Sequence, residues 1–244
     1  MKTIPARRAA LYAAGAFALG LLGGAGASAA IEGPTVSTTD RAAIEAIVRD
    51  YILEHPEILP EGIERLQRKQ AGKTIADNRK AIETPFAGAW AGAEKGDVVL
   101  VEFTDYACGF CRKSVPDIQR LLAEDKKLKV VWRELPIIGP ESEPAARVAL
   151  LAAKKGAYLR SHEAFYAGGQ LNEAKVAAVA KTVGVDPAAG KAADIDAELG
   201  QNLQLARTLG VSGTPAFVIG DQMLSGAVGY EALKAAVEAA RKKG

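Results

Sequence analysis

The chain has 244 residues, 49% of them hydrophobic, with 31 basic and 29 acidic side chains and a formal net charge of +2. This nearly even balance argues against nucleic acid as a partner, because binding to phosphates needs a clearly basic face. The chain's two cysteines lie three residues apart, which excludes a disulfide framework that staples distant segments together.

The N-terminus has the order of a secretory signal peptide. Three basic residues precede an Ala/Leu/Gly-rich run over residues 9–26, and a small-residue cleavage site ends at Ala29. A membrane anchor is the alternative, but the run is short for a span and five glycines interrupt it. We therefore predict that residues 1–29 are removed and that the protein is periplasmic. The mature chain of 215 residues would then carry 28 basic and 29 acidic side chains.

Two helices are predicted before the main fold. Residues 30–39 are polar and irregular, and apolar residues then recur at helical spacing. These positions are Ile44, Ile47, Val48, Tyr51 and Ile52. His55-Pro56 interrupts the pattern, and a second helix with a thinner apolar stripe runs from Pro60 to about Arg79. Two interpretations stay open for this extension, residues 30–82: it packs on its own domain, or its stripe meets another copy, as in coiled-coil seams.

A buried strand leads directly into the cysteines. Residues 98–103, Val-Val-Leu-Val-Glu-Phe, form a β-branched apolar run typical of a strand covered on both faces. The helix that follows runs to about Asp125 and contains Pro116, which should kink it. Residues 128–133 form the next strand, so this segment is a right-handed βαβ unit. Residues 84–90 are the only candidate for an earlier strand, and the pattern there is weak.

Residues 141–209 are helical throughout and contain no strand pattern, which is typical of an insertion laid over a sheet. Asn172 is expected to cap one of these helices, Gly184 to end it, and Asp186-Pro187 to open the next. Strands return at residues 216–219 and 222–225, joined by a Gly-Asp hairpin turn, and a last helix ends the chain.

The position of the cysteines favours redox chemistry. The strand-then-helix pattern places Cys108 at a helix N-terminus, where unpaired backbone N–H groups and the helix dipole stabilise a thiolate. A thiolate is the nucleophile of disulfide exchange, and Cys111 lies one turn further along, shielded by the helix. Because Gly109 and Phe110 add no charge between the cysteines, we expect a milder lowering of the Cys108 pKa than in oxidants with a histidine there. A less stabilised thiolate makes a less oxidising couple.

The cysteine pair has three alternative interpretations besides a redox dithiol. A structural disulfide across two residues would tether nothing. A zinc site needs about four ligands, and the two histidines of the chain, His55 and His162, lie far from the cysteines in sequence. Two inert thiols are the third alternative. We predict a redox dithiol with no metal and no cofactor.

Together these residues resemble the thioredoxin superfamily, and within it the exported DsbA-like proteins. The motifs are Cys108-Gly-Phe-Cys111 after a buried strand, Glu102 six residues earlier, Pro116 five residues later, and Thr214-Pro215 just before a late strand. The resemblance covers roughly residues 84–244. It implies an α/β thioredoxin fold with an all-helical insertion, preceded by an N-terminal helical extension, and places this DsbA-like domain at residues 83–244.

The resemblance also implies roles for single residues. In the family a cis-proline faces the cysteines, so Pro215 and Thr214 are expected to line the substrate groove together with Gly109 and Phe110. An ordinary trans proline is the alternative. Glu102 is expected to be buried, with a raised pKa, and to take the proton from Cys111. The alternative for Glu102 is a salt-bridged strand residue.

Residues 47–59, Ile-Val-Arg-Asp-Tyr-Ile-Leu-Glu-His-Pro-Glu-Ile-Leu, resemble the N-terminal segment of the ScsC-like (suppressor of copper sensitivity) disulfide isomerases. That resemblance implies a homo-oligomer, trimer or dimer. It also implies isomerase or reductase activity on unfolded or misoxidised exported proteins, with a membrane-bound redox partner.

Two other functions remain open from the sequence. One is a monomeric DsbA-like oxidase. The other is a holdase or copper-binding module, since soft thiolates select Cu(I).

Overall fold

The computed structural model describes residues 37–243, except for the side chains of three residues within that range. The predicted signal peptide, residues 1–29, lies outside the described residues. Between residues 37 and 243, no helix is both long enough and apolar enough to cross a bilayer.

Eight α-helices, five strands and one short 3-10 helix (Pro187–Lys191) make up the described chain. The helices are α1 (Thr38–Glu54), α2 (Ile58–Glu83), α3 (Gly109–Glu124), α4 (Ser142–Lys154), α5 (Tyr158–Tyr166), α6 (Glu173–Val183), α7 (Ala193–Leu209) and α8 (Tyr230–Arg241). The strands are β1 (Trp90–Gly92), β2 (Val98–Thr104), β3 (Leu128–Glu134), β4 (Ala216–Ile219) and β5 (Gln222–Ser225).

The chain forms two compact units that meet in sequence at His55-Pro56. The first unit contains α1, and its end at Glu54 confirms the predicted break before the proline. The hydroxyl of Ser37 caps this helix by accepting a hydrogen bond from the Asp40 N–H at 3.1 Å. The apolar side chains of Ile44, Ile47, Val48 and Tyr51 on α1 are exposed, Ile47 by 67%, whereas Ile52 is half-buried.

The second unit is built on a five-stranded sheet of order β1-β3-β2-β4-β5. β2 and β3 pair in parallel, as the predicted βαβ unit requires, and the other three pairs are antiparallel. The hairpin between β4 and β5 turns at Gly220, whose φ of +58° suits a glycine. This architecture confirms the predicted thioredoxin fold, with β2 in the centre of the sheet carrying the cysteines at its end.

The first strand lies slightly later than the weak sequence pattern suggested. Residues 84–89 are irregular, because Ala87 has a φ of +44° and the Ala89 N–H closes a turn on the Phe86 carbonyl at 2.9 Å. Extended backbone begins only at Trp90, where β1 pairs with β3.

Helices α4 to α7 lie between β3 and β4 and form the predicted helical insertion. The Asn172 side chain caps α6 and Gly184, with a φ of +67°, ends it, as predicted. Asp186-Pro187 opens a 3-10 helix instead of an α-helix, and α7 begins only at Ala193. Arg147 of α4 donates to the Gly190 carbonyl at 2.6 Å, so this carbonyl bonds a side chain outside the turn.

The helix α2 is longer than predicted and has two different halves. Leu59, Ile63 and Leu66 near its start are exposed, whereas Ile75 and Ile82 near its end are fully buried. These two isoleucines belong to a core cluster with residues of β2, β3, β4 and α7. The domain boundary near residue 83 stays a prediction, and any truncation has to keep the second half of this helix.

A buried guanidinium fastens the end of α2 to the sheet. Arg133 of β3 donates to Glu198 at 2.8 Å and to Asn202 at 3.2 Å, both on α7. It also donates to three backbone carbonyls at the end of α2, those of Ala81, Ile82 and Thr84. One cation therefore satisfies helix-end carbonyls and a buried carboxylate together.

We expect Arg133→Met to lower the free energy of unfolding by about 3 kcal/mol or more, because Glu198 and the helix-end carbonyls lose their partner. Urea unfolding of the reduced protein measures this. The matched control is Lys154→Met, which removes an exposed ion pair with Asp194 and should cost less than about 1 kcal/mol. Equal small losses in both variants would contradict this account of Arg133.

Candidate dithiol active site

Cys108 is the N-cap residue of α3, directly at the end of the loop that follows β2. Its Sγ accepts a hydrogen bond from the Cys111 N–H at 3.2 Å, and its thiol lies 3.1 Å from the Thr214 carbonyl oxygen. The two cysteines do not form a disulfide in this structure, and Cys108 is only 5% exposed while Cys111 is fully buried. The sequence prediction of Cys108 at a helix N-terminus is confirmed.

The two sulfurs have opposite ionisation behaviour. A hydrogen bond from the Cys111 side chain is the largest cause that lowers the pKa of Cys108 to about 5. Hydrogen bonds from Thr214 and from the Cys111 and Phe110 backbone lower it further, against the cost of burial. Burial raises the pKa of Cys111, and the neighbouring Cys108 and Glu102 raise it further. At neutral pH Cys108 is therefore a thiolate and Cys111 a thiol.

The pKa of Cys108 lies between those of two well-known relatives of the fold. It is about 3.5 in the strong oxidant DsbA and about 7 in thioredoxin. A value of about 5 is therefore a milder depression than that of the strong oxidant, as the uncharged Gly109 and Phe110 led us to expect.

The Thr214–Pro215 peptide bond is cis, which confirms the predicted cis-proline loop. β4 begins at the next residue, so the sheet holds this loop against the start of α3. The loop faces the cysteines through the Thr214 carbonyl. The Thr214 hydroxyl is buried and has no oxygen or nitrogen partner within residues 37–243.

The surface beside Cys108 is open. The Phe110 side chain is 59% exposed, with the Lys113 Nζ lying 5.2 Å from its ring centroid. A side chain built at Gly109 would have no heavy atom within 4 Å beyond its chain neighbours and its own helix backbone. A polypeptide can therefore approach the first sulfur from this side, while the second stays covered.

Glu102 of β2 is buried near the dithiol. Its Oε2 accepts a hydrogen bond from the Trp132 Nε1–H at 2.8 Å. Burial raises its pKa to about 8, and the charges of Glu134 and Cys108 raise it as well. No lysine or arginine between residues 37 and 243 forms an ion pair with Glu102, so the salt-bridge alternative does not hold there.

Asp105 is a structural residue of the site that the sequence analysis missed. Its Oδ1 accepts from the Ala107 N–H at 2.8 Å, and its Oδ2 accepts from the Ile137 and Ile138 N–H groups at 2.8 and 2.9 Å. The Cys108 N–H donates to the Asp105 carbonyl at 2.9 Å. This carboxylate therefore ties the cysteine loop to the segment after β3. No motif in the sequence marks this role.

A second buried carboxyl, Glu134 of β3, was also missed. Its Oε1 accepts hydrogen bonds from the hydroxyls of Tyr106 at 2.8 Å and Tyr158 at 2.6 Å. His162 lies beside them among aromatic rings, 4.9 Å from the Trp132 ring centroid, and burial lowers its pKa to about 3. His162 is therefore a neutral core residue in this structure.

Comparison with known proteins decides the family. A profile described as the DSBA-like thioredoxin domain matches residues 99–238, more than half of the chain. The chain belongs to the DsbA-like thioredoxin family. Members of this family are thiol–disulfide oxidoreductases. A second profile, described as the N-terminal domain of the copper resistance protein ScsC, matches residues 40–73 of this DsbA-like chain.

Several solved structures are similar to this DsbA-like protein. A thioredoxin-like oxidoreductase from Silicibacter pomeroyi is 38% identical, with a TM-score of 0.62 over 66% of this chain and 95% of its own. A linker-deleted variant of Proteus mirabilis ScsC is 29% identical, with a TM-score of 0.68 over 86% and 99%. A periplasmic thioredoxin-like protein from Salmonella enterica serovar Typhimurium is 29% identical, with a TM-score of 0.62 over 67% and 95%.

Curated relatives match over a shorter part of their length. A Salinispora tropica protein named Na(+)/H(+) antiporter NhaA 3 is 30% identical over 156 residues, which cover 61% of this chain and 24% of that protein. The chain thus spans about a quarter of the length of the curated relatives it matches.

We expect the ultraviolet absorbance of the Cys108 thiolate to titrate with a midpoint near pH 5 in the reduced protein. The lowered pKa of Cys108 contributes to the stability of the folded reduced protein. This contribution is complete at pH values above the ordinary cysteine pKa and is lost as the pH falls through about 5. Cys108→Ser should remove the signal. If the midpoint lies near that of an ordinary cysteine, the described site does not hold a thiolate.

Proposed function

We propose that this protein is an exported thiol–disulfide oxidoreductase that acts on protein substrates through Cys108-Gly-Phe-Cys111, as a disulfide isomerase or reductase. The observation that carries this proposal is the asymmetry of the two sulfurs. Cys108 is ionised beside an open surface, whereas Cys111 is protonated and fully buried.

The reaction begins with attack of the Cys108 thiolate on a substrate disulfide. A mixed disulfide forms, and one substrate sulfur leaves as a thiolate. In the molecules in which Glu102 is ionised, Cys111 then gives its proton to this carboxylate and attacks the Cys108 sulfur. This step releases the second substrate thiolate, so the substrate is reduced and the protein's own pair is oxidised. In isomerisation a substrate thiolate instead displaces Cys108, which regenerates the starting thiolate.

The cis-proline loop and the start of α3 are the proposed substrate-binding surface. In the free protein the Cys108 sulfur lies 3.1 Å from the Thr214 carbonyl oxygen. Once Cys108 is bonded to a substrate sulfur, this carbonyl is free to accept a backbone N–H of the substrate. Pro215 shapes the loop, and the exposed Phe110 and unhindered Gly109 offer the facing surface.

The ionisation of Cys108 supports isomerase or reductase activity over strong oxidation. A lower thiolate pKa stabilises the reduced protein and makes it a stronger oxidant. With a pKa of about 5, we expect a reduction potential between about −120 mV for DsbA and about −270 mV for thioredoxin. A protein working as a reductant or isomerase also needs a membrane-bound donor to keep Cys108 reduced. The periplasmic relative from Salmonella supports the same compartment for this chain.

The exposed apolar residues of α1 and of the first half of α2 support a homo-oligomer, a trimer or a dimer. On α1, Ile44, Ile47, Val48 and Tyr51 share one helical face and all are exposed. On α2, Leu59, Ile63 and Leu66 share a face in the same way. Exposed apolar stripes of this kind are covered by another chain in coiled-coil seams.

We expect Ile47→Asp to lower the mass in solution, measured by light scattering, and to reduce the reactivation of scrambled ribonuclease several-fold. The matched control is Ala46→Asp, which adds the same charge on the opposite side of the exposed helix α1. The control should keep wild-type mass and reactivation. A wild-type protein that is monomeric and only oxidises reduced ribonuclease would identify a DsbA-like oxidase instead.

We expect Glu102→Gln to slow the release of the mixed disulfide by about 100-fold near neutral pH, since a general base contributes about 10²–10⁴-fold. Stopped-flow measurement with a disulfide peptide resolves this step. The rate at which a reagent alkylates Cys108 should change little in this variant. Hydrogen bonds from Cys111 and Thr214, and not from Glu102, lower the pKa of Cys108. If release is as fast as in the wild type, Glu102 is not the base.

A further inference from the structure

The two buried carboxyls lie on one face of the sheet. In the parallel pairing of β2 with β3, Glu102 is opposite Trp132 and Thr104 is opposite Glu134. Because residues two apart on a strand point to the same side, Glu102 and Glu134 face the same side of the sheet from neighbouring strands. Glu134 therefore lies two residues further along the strand direction than the position opposite Glu102, the predicted base.

The surroundings of Glu134 contain donors but no counter-charge. Both tyrosine hydroxyls bond its Oε1, and its Oε2 is buried without a partner within residues 37–243. The titratable groups that face it from β2, the following loop, α5 and α7 are Glu102, Asp105, Tyr106, Tyr158, His162 and Glu198. His162 is neutral at this depth, and Arg133 is bonded to Glu198 and to the end of α2.

We propose that Glu134 is a positioning residue of the dithiol site: its carboxyl sets the pH at which Glu102 becomes able to accept the proton of Cys111. This inference rests on the proposed function, because it assigns a control of the proton-transfer step in that reaction.

The physical basis is repulsion between like charges in a buried environment. Ionisation of either carboxyl disfavours ionisation of the other, so the pair loses its protons in two separated steps. Burial raises the pKa of Glu134 to about 8, as it does for Glu102. The unpartnered Oε2 is the atom that can hold the proton of Glu134, since Oε1 already accepts two hydroxyls. While that proton stays, Glu102 can ionise at lower pH.

Trp132 provides a direct reporter of Glu102. Its indole N–H donates to Glu102 Oε2 at 2.8 Å, so its NMR signal depends on the charge of that carboxyl. Trp90 is the only other tryptophan of the chain and serves as the internal control. The experiment follows both indole signals of the full-length mature, reduced, ¹⁵N-labelled protein from neutral to alkaline pH. Throughout this range Cys108 is already ionised.

For the wild type, we expect the Trp132 indole to titrate broadly, in two steps around pH 8. In Glu134→Gln the titration should become a single step and move about one pH unit lower, because the repelling charge is gone. Gln can still accept both tyrosine hydroxyls, so the fold around it is kept. The matched control Glu163→Gln, an exposed carboxyl on α5, should leave the titration unchanged.

A second variant covers the case in which Glu134→Gln does not fold. Tyr158→Phe removes one donor to Glu134 and keeps the carboxyl. It should keep Glu134 protonated to higher pH and thus move the Trp132 midpoint lower by a smaller amount. Wild-type titration in the folded variants overturns the inference.

The release of the mixed disulfide, measured over the same pH range, separates this inference from the proposed function. Its pH profile should move with the Trp132 titration. If the wild type exchanges disulfides but neither profile moves in Glu134→Gln, only the role of Glu134 fails. If the wild type does not exchange disulfides at all, the proposed function fails, and the role of Glu134 in it fails with it.

Discussion

The chemistry of the dithiol site depends on one hydrogen-bonded sulfur, that of Cys108, at the start of α3. The Cys111 side chain hydrogen-bonds the Cys108 sulfur, and the Cys111 N–H, which has no partner within α3, donates to it as well, so this geometry favours the ionised sulfur. The sheet positions the two loops of the site. The cysteine loop follows β2 and the cis-proline loop precedes β4, and the two strands pair at that end, where Phe103 is opposite Ala216. Thiol–disulfide chemistry follows from this arrangement because Cys108 lies beside the open surface at Gly109 and Phe110, whereas Cys111 is fully buried.

The cost of the arrangement is the burial of acidic groups. Glu102 lies near the dithiol and Glu134 lies opposite Thr104 on the neighbouring strand, and both are buried without a cation, which disfavours their ionisation. A stable core would have no need for such groups. The presence of a buried carboxyl, Glu102, beside a reactive thiol is explained if proton transfer is part of the reaction, since carboxyls with perturbed pKa values are common at active sites.

Local sequence patterns predicted the parts of the fold that local physics controls. The β-branched run before the cysteines, the helix after them and the hairpin at Gly220 follow from short local patterns, whereas the cis bond at Pro215 was expected only from the family resemblance. Asp105 and Glu134 could not be predicted in the same way. Their hydrogen-bond partners lie far away in sequence, up to 33 residues from Asp105 and 28 from Glu134. Strand pairing and the packing of α5 bring these partners close only in the folded protein.

The halves of α2 show the same limit. The sequence left open whether its apolar stripe meets its own domain or another copy. The structure buries Ile75 and Ile82 in the core, where the Arg133 guanidinium holds the end of the helix, and leaves Leu59, Ile63 and Leu66 exposed. One periodic apolar pattern therefore covers an exposed first half and a buried second half of the helix. Only the tertiary contacts of the second half distinguish the two.

The most direct measurement of the central claim is the equilibrium reduction potential of the dithiol as a function of pH. If Cys108 ionises near pH 5 and Cys111 stays protonated, the slope should change there from about −59 to about −30 mV per pH unit, since oxidation then releases one proton instead of two. A slope of about −59 mV per pH unit that persists to pH values near 8 would show that neither sulfur is ionised at neutral pH. That result would contradict the account.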